Sequence, residues 1–269
     1  MNTYNRHRIY KYLITKLKYF FGGHGLRENL IINWFLKTVK PKKIKIAGHT
    51  FFLNKNDTTI SEIMISGSYE PEETELYKTI IRNGDVVIDV GANIGYFTLL
   101  FAKLAGPSGM VYTFEPDPVN FQLLQKNINA NRYHNIKAFN FALSDSCRKG
   151  FLYLNDYNSG DHRIYGSEKD RKAVPIDIVA LDDLLPNIKP SFIKIDTQGS
   201  EIGVLRGMKN ILKNTRFLSV EYWPYGLNKT GKTGKDVENI LIEYGFTYEL
   251  NSDLYTIKNQ KFTNILAVK

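Results

Sequence analysis

Apolar residues change their spacing along this chain, and the change marks its elements. Residues 86–102, VVIDVGANIGYFTLLFA, form an apolar run that is interrupted at Gly91 and Gly95 and then resumes at helical spacing. This pattern predicts a buried strand, a tight turn and a helix. Downstream come strand MVYTFEP and a helix opened by Asp117 as N-cap and Pro118 at its first position, with Phe121, Leu124 and Ile128 on one face. Strand IKAFNFAL, strand FIKID, helix GVLRGMKNILK, strand FLSVEY, helix DVENILIEYG and closing strands near TYEL and NILAVK follow. Such alternation predicts an α/β fold, a largely parallel sheet covered on both faces.

Two stretches break the alternation. Residues 43–65 (KIKIAGHTFFLNKNDTTISEIMI) alternate in places and break at Asn54 to Asp57, which predicts a hairpin-like β preamble. Between Gly150 and Asp183, FLYL and VPIDIVAL are expected to pair as an extra ribbon around a long polar loop. A loop of that length in a compact domain points to function. The expected organisation is a basic helical extension over residues 1–45 and one domain over 46–269, with the preamble at 46–76 and the insertion at 150–183.

Charge sharpens this division. Residues 1–45 carry 11 Lys and Arg against the single acid Glu28, while the remaining residues carry 25 basic and 26 acidic side chains. The body is therefore near neutral and has no nucleic-acid footprint in its composition. In the extension, Ile9, Leu13, Leu17, Phe20 and Phe21 recur at helical spacing among the cations. That pattern suits a helix packed on the body with a solvated basic face, or one lying peripherally on an anionic membrane; the first is the plainer reading. No apolar run reaches the roughly 18 residues of a membrane span, and the first residues lack a signal-peptide core, so a cytoplasmic location is expected. The single Cys147 is read as a spectator thiol.

The turn after the first alternating strand is the candidate ligand site. Glycines between a strand and a helix let backbone N–H groups approach a ligand closely. A dinucleotide site would require a third glycine, and Ala92 and Asn93 break that spacing. Asp89 beside the turn would repel a pyrophosphate but suits the ammonium and sulfonium groups of a methionyl moiety. Glu115, at the end of the next strand, can accept both hydroxyls of a ribose.

The ordered combination VVIDVGANIGYFTLLFA, YTFEPDPVNFQLLQKNINAN, FALSD, LDDLL, FIKIDTQGSE and SVE closely resembles the FkbM family of S-adenosylmethionine-dependent methyltransferases, over about residues 69–221. The resemblance implies a class I methyltransferase, Rossmann-like fold: a seven-stranded, mostly parallel sheet with an antiparallel last strand and the ligand at the carboxyl ends of the strands. It also implies S-adenosyl-L-methionine as cofactor, with Asp89, Gly91, Asn93 and Gly95 lining the methionine part, Glu115 the ribose, and Leu143, Ser144 and Asp145 the adenine edge. Tyr69-Glu70-Pro71-Glu72 resembles the family's lead-in to the first strand, with Glu70 closing over the cofactor. One departure stands out: the family reads K-I-D-V-E-G-x-E where this chain has Lys194-Ile195-Asp196-Thr197-Gln198-Gly199-Ser200-Glu201, so a neutral amide replaces a carboxylate at Gln198.

Methyl transfer to a hydroxyl requires alignment and a base. Asp196, at the end of the fourth strand, is the first candidate for base or acceptor-orienting carboxylate. Glu221 ends the next strand on the same rim, before the aromatic run Tyr222-Trp223-Pro224-Tyr225, and His162 in the polar loop is a second proton-accepting candidate. The neighbouring Arg163 would bind an anionic acceptor or face water. These groups could also hold Mg²⁺, but no spacing demands it, and no metal is expected. The expected reaction is O-methylation of a hydroxyl on a glycan or secondary-metabolite-like small molecule. RNA ribose methylation and a non-catalytic cofactor-binding module attached to a membrane or anionic partner are the alternatives, and the near-neutral body argues against nucleic acid.

Overall fold

The computed structural model describes residues 9–16, 30–166, 171–250, 255–257 and 260–269. A helix α1 at residues 9–16 and α2 (Leu30–Val39) precede the hairpin β1 (Lys43–Ile46) and β2 (His49–Phe52), then α3 (Ile60–Ser66) and α4 (Pro71–Ile80). The alternating part opens with β3 (Val86–Val90), α5 (Tyr96–Ala105), β4 (Met110–Phe114), α6 (Pro118–Asn131) and β5 (Ile136–Phe139). An insertion holds β6 (Ala142–Leu143), β7 (Arg148–Tyr153), β8 (Ala173–Val179) and α7 (Leu181–Leu184). The alternation resumes with β9 (Phe192–Ile195), α8 (Glu201–Arg206), α9 (Lys209–Lys213), β10 (Phe217–Tyr222), α10 (Pro224–Lys229) and α11 (Gly234–Glu243), and closes with β11 (Thr247–Leu250), β12 (Tyr255–Ile257) and β13 (Gln260–Val268).

The main sheet runs β11-β13-β10-β9-β3-β4-β5, with β12 joined to β13. Strands β10, β9, β3, β4 and β5 are parallel, and β13 is antiparallel to both β10 and β11. Connections lead outward from β3 on one side and from β9 on the other, so the order reverses between these two strands. Open α/β sheets place their crevice at such a switch point, beyond the carboxyl ends of the strands.

Burial explains why β3 and β9 are apolar apart from Asp89 and Lys194. Val87 and Phe192 enter one cluster with Phe97, Phe101 and Tyr77, while Ile88, Val90, Ile193 and Ile195 enter another with Leu205, Leu218 and Leu241 on the opposite face. A strand buried on both faces shows no alternation. Helix ends follow local chemistry: Asp117 accepts from the Val119 and Asn120 N–H groups, and Thr233 and Asp236 form a reciprocal capping box on α11.

Three local expectations are corrected. The hairpin turns at Ala47 and Gly48, both with positive φ, and the ISEIMIS stretch is helix rather than strand. Asp57 caps it by accepting from the Ser61 N–H at 2.5 Å, and Ser61, Met64 and Ile65 share its buried side. The stretch IKAFNFAL splits because the Asn140 amide donates to the Glu115 and Pro116 carbonyls at 2.8 and 3.0 Å, so β6 leaves the main sheet and pairs with β8. GVLRGMKNILK divides into α8 and α9 at Gly207, where a β-carbon would stand 1.8 Å from the Ser144 carbonyl oxygen. The ribbon expected in the insertion forms as the antiparallel pair β7 and β8. Leu17, Phe20 and Phe21 lie outside the described residues.

Candidate functional site

A cleft of about 1070 Å³ opens at the carboxyl ends of β3, β4, β9 and β10. Its floor is the turn after β3. Gly91 has φ +85°, and a β-carbon there would lie 1.8 Å from the Asp196 carbonyl oxygen, so the turn can approach β9 only without a side chain. Gly95, at φ +93°, lies behind the turn against Leu124 rather than in the cleft wall.

Glu115 is 5% exposed and faces this floor. Its Oε2 accepts from the Asn93 N–H at 2.8 Å and its Oε1 from the Asp117 N–H at 3.0 Å. Burial pushes its carboxyl up to about 8, against the pull of those N–H groups. The carboxyl oxygens keep acceptor capacity toward the cleft, the feature that recognition of a ribose diol needs. Phe114, Phe141, Ala142 and Leu143 supply an apolar wall beside it. Ser144 and Asp145 are outside the cleft lining: Ser144 packs beneath α8 at Gly203, and Asp145 pairs with Arg148 at the surface at 3.2 Å.

Asp89 lines the cleft but is only 1% exposed, and accepts from the Thr98 hydroxyl at 2.5 Å. Burial raises its pKa, and Lys194 opposes the rise. Glu70 caps α4 in a left-handed conformation, φ +39°, and burial lifts its carboxyl to about 7 against the same lysine. Lys194 is absent from the sequence-derived candidates, yet it sits at the centre of this acidic group. Its Nζ donates to Asp196 Oδ2 at 2.8 Å and lies 5.0 Å from the centre of the Phe97 ring. Burial works against its charge, but Asp196, Tyr77, Glu70 and Asp89 hold the ammonium above its ordinary value. The signal available in the sequence is a lysine inside an apolar strand with an aspartate two positions on, on the same face.

The structure brings Asp196 and Glu221 together on adjacent strand ends. Gln198, at φ +55°, donates from Nε2 to Asp196 Oδ1 at 3.0 Å and to Glu221 Oε1 at 2.8 Å. Glu221 Oε2 is buried without a protein partner. Burial, then the Asp196 and Glu201 charges, push Glu221 well above the carboxylate range. Glu201 serves the backbone instead. Its Oε1 accepts from the N–H groups of Thr197 and Gly199, at 3.1 and 2.9 Å, and so pins the loop that presents Gln198.

His162 also lines the cleft, but on the insertion side. Its Nδ1 accepts from the Asn155 N–H at 3.0 Å, which leaves the proton on Nε2, 3.6 Å from Asp117 Oδ2. Burial disfavours the Asp117 charge, but the His162 contact and the N–H groups of α6 hold it below its usual value. The insertion is tied down at Ser159. The Ser159 carbonyl accepts from the Asn93 and Asn120 amides at 2.8 and 3.1 Å, and its N–H donates to Asp57 Oδ1 at 3.0 Å. One residue thereby joins the insertion, which walls the cleft as its lid, to the ligand turn, to α6 and to the preamble. Arg163 and Arg171 both pair with Asp161, at 2.7 and 2.8 Å. Among the described residues, no cluster of three or more His, Cys, Asp or Glu side chains is arranged to hold a metal.

The donor set fits a cationic adenosine-bearing ligand. Glu70, Asp89, Glu115, Asp196 and Glu221 outnumber Lys194 at the floor, an apolar slot adjoins Glu115, and Glu115 retains acceptor capacity for a diol. Strand order and the antiparallel β13 define the class I S-adenosylmethionine-dependent methyltransferase fold, and the crystal structure of PH0793 from Pyrococcus horikoshii shares it at TM-score 0.51 and 15% identity, over 84% of this chain and 70% of that one. Residues 89–248 match the family described as the methyltransferase FkbM domain, and the chain belongs to that family. The family's cofactor is S-adenosylmethionine. The chain is similar to the hexuronic acid methyltransferase AglP of Haloferax volcanii, at 28% identity over 62% of this chain and 65% of that protein. It also resembles the 31-O-demethyl-FK506 methyltransferase FkbM of Streptomyces tacrolimicus, at 54% identity over 19% of this chain and 20% of that protein. The chain thus spans less than two-thirds of the length of these relatives.

Proposed function

We propose that the chain is an S-adenosylmethionine-dependent O-methyltransferase acting on a hydroxyl of a glycan or a secondary-metabolite-like small molecule. The observation that carries this reading is the Asp196 and Glu221 pair, presented by adjacent strand ends to the same cleft as Glu115. Gly91, Glu115 and the Phe141 to Leu143 wall would hold the cofactor, and Glu70 would close over it. When bound, that cofactor supplies a methyl group on a cationic sulfur, open to in-line attack.

Asp196 is the residue placed to take the acceptor's proton. Lys194 and Gln198 each occupy one of its oxygens, which fixes the carboxylate and leaves a lone pair on each. Glu221 differs: burial pushes its carboxyl well above the carboxylate range, and Oε2, buried without a protein partner, is the atom left to hydrogen-bond and orient the acceptor. His162 has both ring nitrogens engaged and acts on the position of the lid. The glycan or small-molecule acceptor class draws support from the names of AglP and FkbM.

Calorimetry with S-adenosylmethionine, followed by transfer of labelled methyl groups to fractionated cell extracts, tests the proposal. Binding followed by label in a saccharide or small-molecule fraction is expected. Binding without transfer to any fraction would leave a cofactor-binding module in place of an enzyme.

A further inference from the structure

Two short helices carry much of the exposed apolar surface. Of the eleven large apolar side chains exposed among the described residues, Ile9 and Tyr12 belong to α1, and Trp34 and Phe35 to α2. Ile9, Tyr12 and Lys16 recur at i, i+3 and i+7 on one face of α1, with the Lys16 ammonium 5.9 Å from the centre of the Tyr12 ring. On the other side, Tyr10 is buried and Ile14 packs on the main core. Leu36 anchors α2 in the same cluster.

Helix α1 adjoins the cleft through α3. The Tyr10 hydroxyl donates to Glu62 Oε1 at 3.3 Å and the Lys11 ammonium to the Ser66 carbonyl at 3.1 Å, which fixes α1 on α3. Helix α3 in turn supplies Ile60, Ile63 and Met64 to the cleft wall, and Ile63 is itself exposed.

Charge identifies what such a face meets. Residues 1–45 hold 11 Lys and Arg against one acid, whereas the rest of the chain is balanced. Among the described residues, the exposed Lys11, Lys16, Lys42, Lys43 and Lys45 share this stretch with exposed Trp, Tyr and aliphatic side chains. That combination matches the headgroup zone of an anionic bilayer, where aromatic rings settle and lysines find counter-charge. Ile9 and Ile63 cannot stack on bases, which favours lipid over nucleic acid.

We propose that α1 and α2 form a docking face for an anionic lipid surface, with the α3 wall of the cleft held beside it. Resting on the O-methyltransferase reading, this placement assigns the acceptor to the amphiphiles, with the hydroxyl on a polar head that reaches the cleft from the membrane plane. No helix among the described residues is long and apolar enough to cross a membrane; the contact proposed is peripheral.

Trp34 reports on this directly, because the chain has two tryptophans and Trp223 is buried. The full chain is mixed with vesicles of phosphatidylcholine alone, or of phosphatidylcholine with phosphatidylglycerol, and followed by sedimentation and tryptophan emission. Partition onto the phosphatidylglycerol vesicles is expected to exceed that onto phosphatidylcholine by roughly tenfold or more, falling with salt. Trp34 emission shifts to the blue, and Trp34→Phe abolishes the shift. Trp34→Ser combined with Phe35→Ser lowers partition, while S-adenosylmethionine affinity measured by calorimetry is unchanged, which separates docking from the cofactor site. Equal partition onto both vesicle types, anionic binding with no Trp34 shift, or tighter retention by RNA than by vesicles would each overturn the proposal.

Discussion

The side-chain amide of Gln198 donates to Glu221 at 2.8 Å, and the same nitrogen donates to Asp196 at 3.0 Å. One neutral amide thus links two acids that would otherwise repel across the strand ends. It occupies the place where the family carries a carboxylate, and it lets the two acids differ: Asp196 is paired with Lys194, and Glu221 is held up by burial.

Replacing that amide by Gln198→Glu removes both donors and adds a third acid. Its carboxyl would be raised in the folded state, so the native protein binds an extra proton between the unfolded and folded pKa values. The sign follows: the variant matches the parent at about pH 5 and loses stability as pH rises toward about 8. Thermal unfolding against pH checks this, and two parallel curves would contradict it.

The apo protein itself shows the same slope through its buried acids. Glu115 is raised to about 8 and Glu201 to about 7 by burial. Each stabilises the fold most when protonated, below its unfolded value, and that contribution is lost as pH climbs through the folded value. Urea unfolding is therefore expected to give a lower midpoint at about pH 8 than at about pH 5. Glu115→Gln reduces the difference. Glu115→Ala also weakens S-adenosylmethionine binding roughly tenfold or more, through loss of both carboxyl oxygens that would hydrogen-bond the ribose hydroxyls.

Gly91 and Gly95 look equivalent in sequence but not in space. Gly91→Ala drives a methyl into the Asp196 backbone, which cannot yield, and Gly95→Ala meets a Leu124 methyl that can turn away. Gly91→Ala should cost on the order of 3 kcal/mol and abolish cofactor binding, against about 1–2 kcal/mol for Gly95→Ala. Denaturant titration of both variants decides the order.

His162 is predicted to act through the lid. His162→Gln should raise the acceptor KM several-fold and leave the acid limb of the kcat profile in place, since the imidazole is spent on Asn155 and Asp117. Loss of that limb would return His162 to the role of proton acceptor.

The parts of the site that the sequence discloses are those set by local geometry. Gly91, Glu115, Asp196 and Glu221 stand at strand ends, and a strand end marks the rim whichever way the loops run. Ser144 and Asp145 lie outside the cleft lining, past the point where Asn140, through its bonds to the Glu115 and Pro116 carbonyls, turns the chain out of the main sheet. The ISEIMIS helix is hidden by an apolar spacing that also suits a strand, and its cap lies in the side chain of Asp57. The Ser159 clasp is illegible in sequence, since its partners Asp57, Asn93 and Asn120 are far apart along the chain.

The most direct test compares the parent and Asp196→Asn in methyl transfer from labelled S-adenosylmethionine to an extract fraction, followed by alkaline treatment of the product. The parent is expected to yield an alkali-stable methyl ether, and Asp196→Asn to bind the cofactor normally while losing roughly 100-fold or more in turnover. An alkali-labile product, or full turnover by the variant, would contradict the assignment of Asp196 as the base for a hydroxyl acceptor.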